Sequence, residues 1–410
     1  MSVQLIAPRG VLHLHGFRLL LLDRLLAPAA TAVSTVAVSF AVLGLTGSVA
    51  DLSHVLAAQI APALLLMPVS GVLADRFGAQ YVIAAACLLT ACCEGTLAFL
   101  LLTGHPPIGQ IMLLEAGTGA ALAMFLPAST ALLPRLVPDT ELQRANALSR
   151  LVTNAATVGG GAFAGAAVAS FGPGWALAAD AAAMLAACVP NLLIRTAPAA
   201  RRAAPDLFGE LREGWREFRS HTWLWVIVLQ YSLVFMACAW GYGVLGPVVA
   251  RDSLGGSTAW GEILVAEALG LVAGACAATR FTTRRPMLFV TLCGAAVAAP
   301  TLALALLLPL WLICAFSFGT GVLVELMMVQ WNVAMARTIP ADRLARVGSY
   351  DMLGTVVATP FGTLLAGPLA ATIGIRPAQF AAVLLAVAVT VLALAPKEIR
   401  AEPGRAGATR

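Results

Sequence analysis

The chain is 410 residues long, 60% hydrophobic and only 11% charged, with a formal net charge of +5. A soluble domain carries about 25% charged residues, so this composition argues against a soluble enzyme, a nucleic-acid binder and a disordered chain. The mean hydropathy of +0.90 makes lipid the solvent.

A helix crosses ~30 Å of hydrocarbon with about 20 mainly apolar residues. Twelve such spans are predicted, over 17–44, 51–74, 80–103, 108–134, 143–170, 174–195, 221–249, 257–280, 286–306, 309–336, 345–371 and 376–396. In the first, Ala27-Pro28-Ala29 has the look of a signal-peptidase site. The uncharged run from Leu25 to Ala50 is too long for a signal sequence, so it reads as an uncleaved span. Gly104-His105-Pro106-Pro107, Gly172-Pro173-Gly174, Gly255-Gly256-Ser257 and Leu308-Pro309 punctuate the later spans.

Arginine sets the expected orientation. One set of loops holds Arg76, Arg135, Arg144, Arg195 and Arg201 among many others, and both termini belong to that set; the opposite loops hold only Arg251 and Arg376. A multi-pass protein of the cytoplasmic (inner) membrane with both termini cytoplasmic is expected. The positive charge is thereby a topology signal and requires no nucleic acid.

Sliding the sequence by 202 residues (337 − 135) superposes Arg135 on Arg337, Pro138 on Pro340, Gly160 on Gly362, Gly165 on Gly367 and Gly172 on Gly374. Six spans is an even offset, so the halves are parallel repeats. The expected domains are a six-helix bundle over 1–195, a cytoplasmic linker over 196–220 and a second bundle with a tail over 221–410. In the linker, Phe208, Leu211, Trp215 and Phe218 recur at helical spacing among charges, the pattern of a surface amphipathic helix.

After the second span stands Gly71-Val72-Leu73-Ala74-Asp75-Arg76-Phe77-Gly78. Asp75 at a helix end can face the positive N-terminus of another helix, and Arg76 or Arg135 can pair with it, forming a breakable latch. This stretch resembles the GxxxDRxG loop motif of the major facilitator superfamily, although Ala79-Gln80 replaces the basic residues usual after the second glycine. Arg135–Leu148, Phe171–Trp175, Leu211–Phe218 and Arg346–Asp351 further resemble the efflux branch that includes macrolide and enterobactin exporters. The resemblance implies an all-α membrane protein with twelve transmembrane helices in two parallel halves. Two departures stand out. The antiporter GPxxGG pattern survives only as Gly160-Gly161-Ala162-Phe163-Ala164-Gly165, and Leu113 occupies the place of the arginine in a fourth-span RxxxG pattern.

An ionisable group at mid-bilayer costs about 2.5–3.5 kcal/mol and is a functional candidate by default. The candidates for substrate binding or proton coupling are Arg24, Glu94, Glu115, Glu267, Glu325 and Asp351. By depth, Glu94, Glu267 and Glu325 lie deepest, whereas Asp23, Arg24, Glu115, Asp180, Glu262 and Asp351 fall within about 10 Å of an interface, at 1.5 Å per residue. Spans one, four, seven and ten line the central cavity in the superfamily, which singles out Arg24, Glu115 and Glu325. No histidine sits mid-membrane, so a carboxylate must carry any coupled proton; Glu325 comes first and Glu115 second. A helix-packing hydrogen bond is the alternative role for each.

No cofactor, metal site or catalytic constellation is expected: the eight cysteines form no CxxC, and no GxxxxGK[ST] phosphate loop occurs. The reading is a monomeric secondary transporter, not an enzyme, that exports an amphipathic small molecule such as a drug, antibiotic or siderophore-like metabolite by proton antiport. An importer or lysophospholipid flippase of the same fold, and a non-transporting membrane sensor or scaffold, are the alternatives.

Overall fold

The structure is a computed structural model that describes residues 11–138, 141–195, 215–216, 218–278, 280–281, 283–339 and 341–400. It is all-α, with no strand among the described residues. The first six helices are α1 (His15–Thr46), α2 (Val49–Phe77), α3 (Ala79–Thr103), α4 (Ile108–Leu136), α5 (Leu142–Phe171) and α6 (Pro173–Leu193). The next six are α7 (Thr222–Leu254), α8 (Ser257–Ala278), α9 (Pro286–Ala305), α10 (Leu310–Thr338), α11 (Ala341–Ile373) and α12 (Ile375–Ala393). Eleven of them are long and apolar enough to cross a membrane; α11 adds the shorter apolar stretch Val357–Ile373.

The breaks fall where the sequence puts proline and glycine. Pro107 and Pro309 stand at the N-caps of α4 and α10, and Gly255, in the left-handed region, ends α7. α7 runs past its expected end at 249 because its last turns are π-helical, over Ala239–Val244 and Ala250–Leu254. Of the linker helix, Phe208 and Leu211 lie outside the described residues; Trp215 and Phe218 stack with ring centroids 5.8 Å apart.

Contacts divide the chain into two compact units, one of Met1–Ala41 with Ala58–Arg201, the other of Val42–Ala57 with Arg202–Arg410. Large side chains exposed on the units, such as Leu65, Phe171, Trp311 and Leu392, are stable only against lipid. In the first unit, the fully buried Phe17, Leu20, Ile83 and Leu132 anchor the core. In the second, Leu224 and Ile227 do so beside an edge-on Trp223–Trp331 pair. Tyr231 and Trp240 donate hydrogen bonds to the Val290 and Ala378 carbonyls.

Arg251 and Arg376 bind at helix ends. Arg251 Nη1 donates to the Leu43 carbonyl in the last turn of α1, at 2.9 Å, and Arg376 Nε to the Ala305 carbonyl at the end of α9, at 2.8 Å. The Leu43 carbonyl also accepts from the Gly47 N–H at 3.0 Å, and a cation at either helix end opposes the negative end of the helix dipole.

Each unit repeats the same backbone devices. Gly172 and Gly374, 202 residues apart, precede α6 and α12 at φ 86° and 89°, a conformation closed to side chains. Close helix contacts repeat at the same offset. A Cβ on Gly119 (α4) would strike the Gln59 carbonyl of α2, and one on Gly321 (α10) the Glu267 carbonyl of α8. Likewise Gly160 (α5) lies on the Ala29 carbonyl of α1, and Gly362 (α11) on the Met236 carbonyl of α7. Small residues that allow backbones this close drive helix association in lipid, where the hydrophobic effect between helices is absent. Gly160→Val is therefore expected to cost about 1–3 kcal/mol or more, read as a lower melting temperature. Gly159→Val, whose Cβ would meet open space, is the control; equal melting temperatures for the two would refute the contact.

Candidate functional site

The first unit encloses a cavity of about 470 Å³ lined by all six of its helices. α1 runs along it from Arg24 to Thr35, about 16 Å at 1.5 Å per residue. Its wall is mostly small or apolar, with Ala27, Pro28, Ala86, Leu122, Phe125 and Met184. Three charged side chains, Arg24, Glu94 and Asp180, line it.

Helix packing assembles the acids. A Cβ on Gly95 (α3) would touch the Ala181 Cβ of α6 at 3.6 Å, and one on Gly117 (α4) would meet Cys93 Sγ of α3. These contacts bring Glu94 of α3, Glu115 of α4 and Asp180 of α6 into one cluster whose members act electrostatically on one another. Each is 1% exposed. Ser34 Oγ of α1 donates to Glu94 Oε1 at 2.6 Å. Thr118 Oγ1 lies 3.2 Å from Glu115 Oε2 and 2.8 Å from the Glu115 carbonyl, and receives Gln59 Nε2 of α2 at 3.3 Å. Glu94 Oε2, Glu115 Oε1 and both Asp180 oxygens have no hydrogen-bond partner. An unsatisfied buried polar atom is costly.

The opposite end of the cavity is basic. Arg24 Nη2 donates to the Ser129 carbonyl at 3.0 Å while Nε has no partner. Its sequence neighbour Asp23 turns away, fully buried, and accepts a 2.7 Å hydrogen bond from Asn191 Nδ2.

Of the sequence candidates, Arg24, Glu94 and Glu115 thus share one unit. Glu267 and Glu325 belong to the other, on the packed helices α8 and α10. Tyr242 donates to Glu267 Oε2 at 2.8 Å, and half-buried Glu325 stands where the Cβ of a substituted Gly274 would come. Asp351 lies in α11, its side chain outside the described residues. In the loop motif, Gly71 and Asp75 lie in α2 with their side-chain surroundings likewise outside the description. Arg76 is exposed, with its guanidinium 5.5 Å from the Phe77 ring centroid. Gly78 caps α3 at φ 93°, and Arg135 is exposed in the last turn of α4.

Three acids expected within about 10 Å of an interface, Asp23, Glu115 and Asp180, are buried by helix packing. Asp180 is the residue that sequence reasoning undervalued. Its position in α6 gave it shallow depth, and only the Gly95–Ala181 contact reveals that it faces Glu94. Leu113, in place of a fourth-span arginine, is 72% exposed and takes no part in the cluster. Among the described residues no group of three or more His, Cys, Asp or Glu side chains is arranged to hold a metal ion.

Comparison with known proteins supplies the family. Residues 24–281 match the family described as Major Facilitator Superfamily. No curated relative matches the chain. Several solved structures share the fold at low identity. A bacterial homologue of the human lysosomal transporter Spinster, inward-facing and unoccupied, has a TM-score of 0.70 at 15% identity, covering 94% of this chain and 97% of that one. The nucleoside transporter NupG gives 0.71 at 14%, covering 94% and 99%. A bacterial homologue of the iron transporter ferroportin, inward-facing, gives 0.70 at 20%, covering 95% and 100%.

The Asp23–Asn191 bond has a measurable consequence. Asn191→Ala leaves a buried carboxylate without its amide donor and is expected to cost about 1–3 kcal/mol. The double variant Asp23→Leu/Asn191→Ala is expected to lose less than the sum of the two single changes. Strict additivity of melting shifts would show that the two residues do not interact.

Proposed function

Because the chain belongs to the Major Facilitator Superfamily, we propose that it is a secondary transporter that exports an amphipathic small molecule across the cytoplasmic membrane by proton antiport and alternating access. The fold alone does not choose the cargo: the similar structures are named for nucleoside and iron transport among others. The observation that carries the proposal is the buried acid cluster opening on a largely apolar cavity. Apolar walls with a few convergent polar groups suit an amphipathic ligand. Carboxyl groups with unpaired oxygens inside a membrane bundle are suited to take up and release protons.

Glu94 and Glu115 are the proton-carrying residues in this reading, with Asp180 beside them and Arg24 at the far end of the cavity. Glu325, Glu267 and Asp351 are secondary candidates; the Tyr242 hydroxyl already satisfies one Glu267 oxygen. Gly71, Asp75, Arg76, Gly78 and Arg135 form the cytoplasmic gate. The bundles over 1–195 and 221–410 are the moving parts, joined by the 196–220 linker. Arginine-rich loops place both termini in the cytoplasm, and the transporter works as a monomer.

Everted vesicles test the proposal. With an inside-acid gradient imposed, addition of amphiphiles is expected to dissipate the gradient as they are taken up. Glu94→Gln and Glu115→Gln should each lower the rate by about tenfold or more, equivalent to about 1.4 kcal/mol, and Glu325→Gln by less. Undiminished transport in both unit-one variants would remove the coupling assignment. Failure of every amphiphile to dissipate the gradient would remove export.

A further inference from the structure

We propose that the cavity of the first unit binds the protonated amine of its cargo, so that the exported molecule is an organic cation with an apolar body. The inference rests on the export reading and names the chemical class of what is carried.

The acid end offers four acceptor oxygens without donors: Glu94 Oε2, Glu115 Oε1, and Oδ1 and Oδ2 of Asp180. The local hydroxyls are already committed, Ser34 to Glu94 and Thr118 to Glu115. Both Glu94 and Asp180 line the cavity, with their unpaired oxygens buried. Arg24 does not neutralise them. It lies ten residues before Ser34 on α1, about 15 Å along the axis, and hydrogen-bonds the Ser129 carbonyl. Among the residues lining the cavity, no basic side chain stands beside the acid end. A primary ammonium supplies three N–H donors from a single charged centre, suited to the acceptors that Glu94 of α3 and Asp180 of α6 bring to the cavity. A hard metal ion needs several oxygens at short coordination distances, and no three carboxylates among the described residues stand in that arrangement. A neutral or anionic cargo would leave the acids unpaired in a low-dielectric site, and the cavity discriminates against it by that cost.

The rest of the cavity fits the rest of such a molecule. Leu122, Phe125 and Met184 line the wall around the apolar body, and about 470 Å³ lies in the usual range for a drug-sized ligand.

The test uses the full-length purified protein in lipid nanodiscs and two fluorescent probes of nearly equal size. Dansylcadaverine presents a primary ammonium at neutral pH; its N-acetyl derivative presents a neutral amide. The wild-type protein is expected to bind the amine about tenfold or more tighter than the acetamide, with decylamine but not decanol displacing it. Asp180→Asn and Glu94→Gln should each weaken amine binding by about tenfold and narrow the preference for the amine over the acetamide. Ser34→Ala, which removes a donor and no charge, should keep the preference. Acetamide binding and the melting temperature confirm that each variant is folded; if an acid variant fails to fold, the wild-type preference and the decylamine competition decide. Equal affinity for the two probes, an unchanged preference in both acid variants, or no amine binding by folded wild-type protein would overturn the inference. Vesicle transport separates it from the export reading. Gradient-driven uptake of neutral amphiphiles without amine preference sinks this inference and keeps export. Amine-selective binding with no gradient-driven uptake sinks export and keeps the site.

Discussion

A bundle in lipid has no water to complete its hydrogen bonds, so each buried polar atom depends on a partner within the protein. Most of this chain obeys that constraint. Thr31, Thr35 and Ser39 return their hydroxyls to carbonyls four residues earlier on α1. Gln230 binds the Thr291 carbonyl and the Thr390 hydroxyl. Arg251 and Arg376 donate to carbonyls at helix ends. Among the described residues, the ionisable groups with an unpaired buried atom are Asp23, Arg24, Glu94, Glu115 and Asp180, all in the first unit. Uncharged atoms without a partner occur in the second unit, Gln230 Oε1, Ser317 Oγ and Gln379 Oε1, whereas three of the ionisable ones, Arg24, Glu94 and Asp180, line one cavity.

The repeat sharpens that contrast. Gly119 and Gly321 support the same kind of backbone contact, against Gln59 in one unit and Glu267 in the other. Backbone geometry has been kept while the side-chain chemistry has diverged. Gln59 passes its amide to Thr118 and so supports Glu115 indirectly. Glu267 is itself the acid, and the Tyr242 hydroxyl answers it directly. Tyr242 sits in the π-helical part of α7, where a widened turn shifts side chains from ordinary helical register, a feature often found at functional sites. Each unit thus gives an acid one hydroxyl donor, Ser34 for Glu94 and Tyr242 for Glu267, and the buried carboxyl oxygens without a partner among the described residues are in the first.

The fold was largely legible because its signals are one-dimensional. Apolar runs set the spans, Pro309 and Gly255 set breaks, and the glycine pair at 172 and 374 marked a shared turn. The site was legible only in its parts. Arg24, Glu94 and Glu115 stood out as charges inside apolar runs, but which acids meet depends on helix rotation and close approach. Asp180 illustrates the limit: its distance along α6 pointed to the interface, whereas the small residues Gly95 and Ala181 bring its helix against α3. Spans one, four, seven and ten pointed to Glu325, yet the cluster draws on α3 and α6 as well. Hydroxyl partners such as Ser34 and Thr118 gave no sequence signal, since serine and threonine are common in membrane helices for their back-bonding alone.

The small residues that permit close packing also account for the cavity. Where α1 meets α5 at Gly160, and α2 meets α4 at Gly119, backbones touch and no volume remains. Along the same helices, Ala27, Pro28, Thr31 and Ala121 face the cavity, and side chains this short cannot fill the space once the helices diverge. A bundle of leucines would have closed the gap and excluded the charges. Using small residues therefore joins two properties: tight crossings fix the geometry of the walls, and the short side chains between crossings leave a chamber into which Glu94 and Asp180 reach. Enlarging those side chains would remove the chamber without disturbing the crossings, so the binding volume is set separately from the stability of the helix pairs.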